Sequence, residues 1–118
     1  MIVQVQFTLP HPKIHGTVNP KNKEVIDVDV TIKNPLKKLA LTDVTVDVDS
    51  DFGDRTLTPF EIAPGTSETK SVQIATGPQG THCAVFGVEA KEIFGLGWEG
   101  LLCYDVSADG SVKFVVDG

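Results

Sequence analysis

Two segments of the chain alternate apolar and polar residues with a period of two: Val25-Ile26-Asp27-Val28-Asp29-Val30-Thr31-Ile32 and Asp43-Val44-Thr45-Val46-Asp47-Val48-Asp49. In an extended backbone that period sends Ile26, Val28, Val30 and Ile32 to one face and the acids to the other. Both segments therefore read as half-buried strands of an antiparallel sheet. Between them Asn34-Pro35-Leu36-Lys37-Lys38-Leu39 is a connection, because Pro35 breaks pairing and the lysines stay in water.

The same reading extends along the chain. Val3, Val5, Phe7 and Leu9 alternate with Gln4, Gln6 and Thr8, which predicts a first strand ended by Pro10 and Pro12. Leu57 to Ile62, Lys70 to Ala75 and Thr81 to Glu89 read as further strands, separated by the turns Ala63-Pro64-Gly65-Thr66 and Gly77-Pro78-Gln79-Gly80. Thr81 to Glu89 has apolar residues on both faces, as a central strand does, with Ala84, Phe86 and Val88 inward and Cys83 and Val85 outward. A three-residue loop Ala108-Asp109-Gly110 registers the last hairpin, pairing Val106 with Val112, Tyr104 with Phe114 and Leu102 with Val116. A one-residue slip would set Lys113 against Val106 and split the apolar row between faces. Seven or eight short strands with no helix predict an all-β fold, an immunoglobulin-like antiparallel two-sheet β-sandwich, with residues 1–118 as one domain.

A chain of 118 residues is long enough to bury an independent core. The formal charge of −6 is unevenly spread: seven of the sixteen acids lie between Asp27 and Asp54, while Lys13, Lys21, Lys23, Lys33, Lys37 and Lys38 cluster upstream and in one connection. No basic, aromatic-laced face offers itself to nucleic acid. No apolar run is long enough to insert in a membrane, Met1 leads straight into an alternating segment instead of a signal peptide, and no glycosylation sequon occurs. A soluble chain is expected, and its compartment is open.

The run Val30-Thr31-Ile32-Lys33-Asn34-Pro35-Leu36, followed by Leu41-Thr42-Asp43-Val44, Ile62-Ala63-Pro64-Gly65-Thr66 and Gly77-Pro78-Gln79-Gly80, resembles the carboxy-terminal immunoglobulin-like domains of animal transglutaminases over about residues 25 to 90. The resemblance implies the sandwich architecture. It does not bring the enzyme activity with it. Thr81-His82-Cys83-Ala84-Val85-Phe86 lacks the Gln and Trp of the Gly-Gln-Cys-Trp-Val-Phe nucleophile string, and it lies in a strand, where His82 points away from Cys83. The pair Cys83 and Cys103 is either a disulfide between neighbouring strands or two small thiols filling a core.

Other motifs weaken on inspection. Gly95-Leu96-Gly97-Trp98-Glu99-Gly100 matches a dinucleotide-binding string, but a strand follows where that motif needs a helix. His11 and His15 have helical zinc spacing beside prolines that forbid the helix. In Asp49-Ser50-Asp51-Phe52-Gly53-Asp54 the sixth position is Asp54 and the twelfth Phe60, so it is no EF-hand. A looser calcium site built from Asp47, Asp49, Asp51 and Asp54 is the candidate metal centre. Phe94, Leu96 and Trp98, in a glycine-rich connection, either cap the sandwich or form a partner-binding patch.

Catalysis has no candidate residues, and no cofactor beyond calcium is implied. The expected function is a non-catalytic binding or structural module that recognises a protein partner through loops or a strand edge, including Val3 to Leu9. The rival expectations are a calcium-dependent adhesion domain using residues 47–54 and a carrier of a small apolar ligand between the sheets.

Overall fold

The computed structural model describes residues 11–92 and 98–115. Nine strands follow one another without a helix among those residues: β1 (Lys13–Val18), β2 (Val25–Lys33), β3 (Leu41–Ser50), β4 (Gly53–Thr56), β5 (Phe60–Ile62), β6 (Ser67–Ala75), β7 (Gly80–Glu89), β8 (Trp98–Val106) and β9 (Val112–Val115). They form two antiparallel sheets. One has the order β1-β2-β6 and the other β4-β3-β7-β8-β9, with β5 also on β3. The first three positions are those of strands A, B and E of an immunoglobulin-like sandwich, and β3, β7 and β8 are those of C, F and G.

The alternation sets the core. Ile26, Val28, Val30 and Ile32 of β2 face Val44, Val46 and Val48 of β3 and Ala84, Phe86 and Val88 of β7, all at most 1% exposed. Tyr104, Ile62 and Leu41 complete the centre. Truncating a side chain such as Phe86 there to alanine costs about 3–5 kcal/mol. The β8–β9 hairpin has the expected register, with Val106 against Val112 and Tyr104 against Phe114. Gly110 turns it at φ 87°, and the Ser107 amide donates to Ser111 O across a 2.9 Å bond.

Several expectations are corrected. β1 occupies Lys13–Val18, a segment in which no strand was expected, and pairs antiparallel with β2 from Lys13 opposite Thr31 to Val18 opposite Ile26. The strand expected at Val3 to Leu9, and the residue Val116, lie outside the described residues. Leu57 to Ile62 is no continuous strand: Pro59 interrupts it, β5 starts at Phe60, and β4 lies further upstream. The acidic segment is a tight hairpin rather than a loop, with Ser50 opposite Gly53 and Asp49 opposite Asp54. Nine strands lie among the described residues, where seven or eight were expected. Cys83 and Cys103 are not core thiols; they are directly opposed on β7 and β8, Cα atoms 4.1 Å apart, and joined in a disulfide on the outer side of the sheet.

One buried polar residue organises the crossing between sheets. The Asn34 Nδ2 donates to Leu39 O at 2.8 Å and to Ile62 O at 3.1 Å, and its Oδ1 accepts from the Leu36 amide at 3.0 Å. The Asn34 amide donates to Thr66 O, and the Gly65 amide to Leu36 O. The Asn-Pro and Pro-Gly elements are thus two halves of one hydrogen-bonded node.

Candidate interaction surface

The two outward faces differ in chemistry. On the three-stranded sheet, Lys13, His15 and Thr17 stand beside Thr31, Asp29 and Asp27, and these beside Thr69, Ser71 and Gln73. These side chains bond one another: Ser71 Oγ donates to Asp29 at 2.7 Å, Gln73 Nε2 to Asp27 at 2.9 Å, and Thr31 and Thr69 meet at 2.9 Å. That face is polar throughout and bonded within itself across β2 and β6.

The six-stranded sheet presents something else. The period that turns Leu102, Tyr104 and Val106 inward turns Leu101, Cys103 and Asp105 outward. Leu101 is 56% exposed and Val115 48%. Leu101 lies opposite Val85, and Val115 opposite Cys103, which is itself disulfide-linked to Cys83. Two neighbouring rows therefore carry three aliphatic side chains and a disulfide, all on the solvent side. Acids border them: Asp49 opposes Val85, Glu99 opposes Gly87, and Asp105 accepts a 2.6 Å hydrogen bond from Thr81.

Asp49 of that border stands opposite Asp54 on β4. Its hydrogen bond with Asp54 across the hairpin, then the repulsion of Asp54 and Asp51, raise its carboxyl above the ordinary value. Asp47 instead accepts from Thr56 Oγ1 at 2.9 Å. The structure thus brings Asp49 and Asp54 together, with Asp51 at the turn and Asp47 on its own hydroxyl partner. Among the described residues, no three histidine, cysteine or acidic side chains converge as a metal-binding group.

No protein-family model matches the chain, and no curated protein is a significant match. The surface must be read from its own chemistry. No helix among the described residues is long and apolar enough to cross a membrane.

The histidines and cysteines form no reactive constellation. His82 sits at one end of the sandwich, its ring centroid 4.8 Å from that of Phe52 and 5.8 Å from that of Tyr104, with Nε2 2.7 Å from Pro78 O. Tyr104 donates to Ala75 O at 3.1 Å, and burial, then the charge of Asp51, raises its phenol. His15 lies on the other sheet opposite Asp29. Cys83 and Cys103 are consumed by their bond.

Phe94 and Leu96 lie outside the described residues; Trp98 enters only as the first backbone position of β8. The start of their connection is fixed by Glu92, whose carboxylate takes the Thr42 amide at 2.6 Å and the Thr42 hydroxyl. Burial pushes Glu92 up, and these bonds outweigh it and hold the carboxyl below its usual value. The anchored Thr42 sits beside Asp43, whose φ of 48° marks the irregularity where β3 shifts register against β5. The exposure of Leu101 was legible from β8's period but was not anticipated. The disulfide needed the β7–β8 register, which the long connection 90–97 hides.

Proposed function

We propose that the chain is a non-catalytic binding module that takes up a protein partner on the outer face of its six-stranded sheet. The contrast between the two outward faces carries this reading. One is polar and hydrogen-bonded across β2 and β6, while the other exposes Leu101 and Val115 beside the half-buried Val85 and a disulfide, inside an acidic border. Exposed apolar residues gathered in one patch with a polar rim mark interaction sites more often than scattered ones do. The complementary partner surface has aliphatic or aromatic side chains flanked by lysine or arginine, which would relieve the repulsion at Asp49 and Asp54. Phe94, Leu96 and Trp98 belong to the same proposal, since their connection runs in sequence directly into β8. The transglutaminase-type resemblance supports a module of this class through the Asn34 node, which its Asn-Pro and Pro-Gly elements build.

The rival readings have less support. Among the described residues no carboxylate trio gathers for calcium. The space between the sheets is occupied by Phe86, Tyr104, Ile26 and their neighbours, each under 2% exposed, in place of a carrier's ligand.

Site-specific photo-crosslinking tests the proposal. A photoreactive phenylalanine at position 101 should give a discrete adduct with a protein of the source cells, and one at position 31 on the polar face should not. Leu101→Lys should weaken binding of that isolated partner by about tenfold or more, the loss of a central contact. Adducts of equal yield from both faces would sink the reading.

A further inference from the structure

Among the described residues the bounding strands are β1 and β6 of one sheet and β4, β5 and β9 of the other, and they are not alike. β6 shows Ser67, Glu68, Thr69 and Lys70, and β4 consists of Gly53, Asp54, Arg55 and Thr56; such charged or polar edges discourage strand addition. β1 and β9 instead face each other across one seam. A Cβ at Gly16 would stand 2.7 Å from Phe114 Cε1, and one at Gly100 would stand 2.2 Å from Ile14 Cδ1, so only glycines let β1 lie this close to β8 and β9. Along the seam runs a groove of about 430 Å³ lined by Ile14, Leu101, Leu102, Phe114 and Val115. Among the described residues β9 pairs with β8 alone, and its other row of main-chain groups lies beside this groove.

We infer that residues 3–9 of a second copy of this chain add as a strand at the β9 edge, seating their apolar row in the groove. Val3, Val5, Phe7 and Leu9 alternate with Gln4, Gln6 and Thr8, the pattern of a strand with one face to bury. Residues 2–10 carry no charged side chain, so a molecule of net charge −6 does not repel them. Seven extended residues reach about 23 Å, enough to run past β9 along the seam.

The path of the chain selects the second copy over a return within the same one. Pro12 is buried over the start of β8, its Cγ 3.4 Å from the Cβ position of Gly100, and β1 runs from there along β8. To lay residues 3–9 on its own β9, the chain would have to reverse within Leu9-Pro10-His11-Pro12. Proline fixes φ near −65° and holds the preceding residue extended, so this sequence is a stiff spacer that resists a tight turn. Docking on another molecule needs no reversal. The groove shares Leu101 and Val115 with the outer face, and the two readings are told apart because this test contains no other protein.

Sedimentation velocity on the full chain provides that test. The wild type should associate as its concentration rises from micromolar to millimolar, and Phe7→Asp should stay monomeric over the whole range. Val115→Lys, at a site exposed enough to leave folding intact by circular dichroism, should also stay monomeric. A labelled peptide of residues 1–12 should bind the Phe7→Asp chain saturably and the Phe7→Asp/Val115→Lys chain at least about tenfold more weakly. A wild type that remains monomeric, a Phe7→Asp variant that associates like it, or a peptide indifferent to position 115 would each overturn the inference.

Discussion

Asn34 shows how much one side chain can decide. Its carboxamide serves backbone groups at Leu36, Leu39 and Ile62 while fully buried, and among the described residues no buried side-chain polar atom lacks a partner. Asn34→Ala strands these groups away from water and should lower stability by about 2–4 kcal/mol in urea unfolding. Asn34→Asp should be worse, because an ionised carboxylate would confront the carbonyls of Leu39 and Ile62. At Asp49 the sign reverses. A carboxyl raised in the folded state favours folding at low pH, and that contribution is lost as pH rises through the raised value. Removing the repulsion with Asp54→Asn should therefore raise the Tm at neutral pH, and by less in acid, where the raised Asp49 carboxyl takes up its proton. Equal shifts at the two pH values would show that charge is not the cause.

At the scale of elements, the disulfide is an addition to a ladder that is already formed. β7 and β8 pair from Gly80 opposite Val106 to Val88 opposite Trp98, and the bond spans a sequence separation of 20. Closing a loop of that length should stabilise the fold by about 3 kcal/mol, so a dithiol should lower the Tm while leaving one cooperative transition and the same circular dichroism. A melt that ignores the reductant would contradict this. The elements differ in how openly the sequence announces them. β2, β3 and β7 carry their own period, and the β8–β9 register follows from a three-residue turn, so these were readable from local pattern. β1 was hidden because Gly16 holds the middle of its inward row, between Ile14 and Val18, where packing against Phe114 leaves no room for a side chain. β4 has no apolar residue and exists by pairing with β3. The Cys83–Cys103 bond and the apolar patch depend on which residues lie opposite across a long connection, information no local window contains.

At the scale of the molecule, the sandwich is closed on one side by contact between β1 and the β8–β9 hairpin. Gly100→Val should force Ile14 from its place and cost about 1–3 kcal/mol in denaturant unfolding. The double variant Gly100→Val/Ile14→Ala should recover part of that loss, whereas strictly additive losses would show that the two positions do not share the seam. The opposite crossing, from β2 of one sheet toward β3 and β5 of the other, hangs on Asn34. Asparagine ages by deamidation when the nitrogen of the next residue attacks the side-chain amide, and here that nitrogen belongs to Pro35, which has no hydrogen to give up. The clasp between the two layers is thereby protected against the slow chemical decay that a glycine or serine in place of Pro35 would invite.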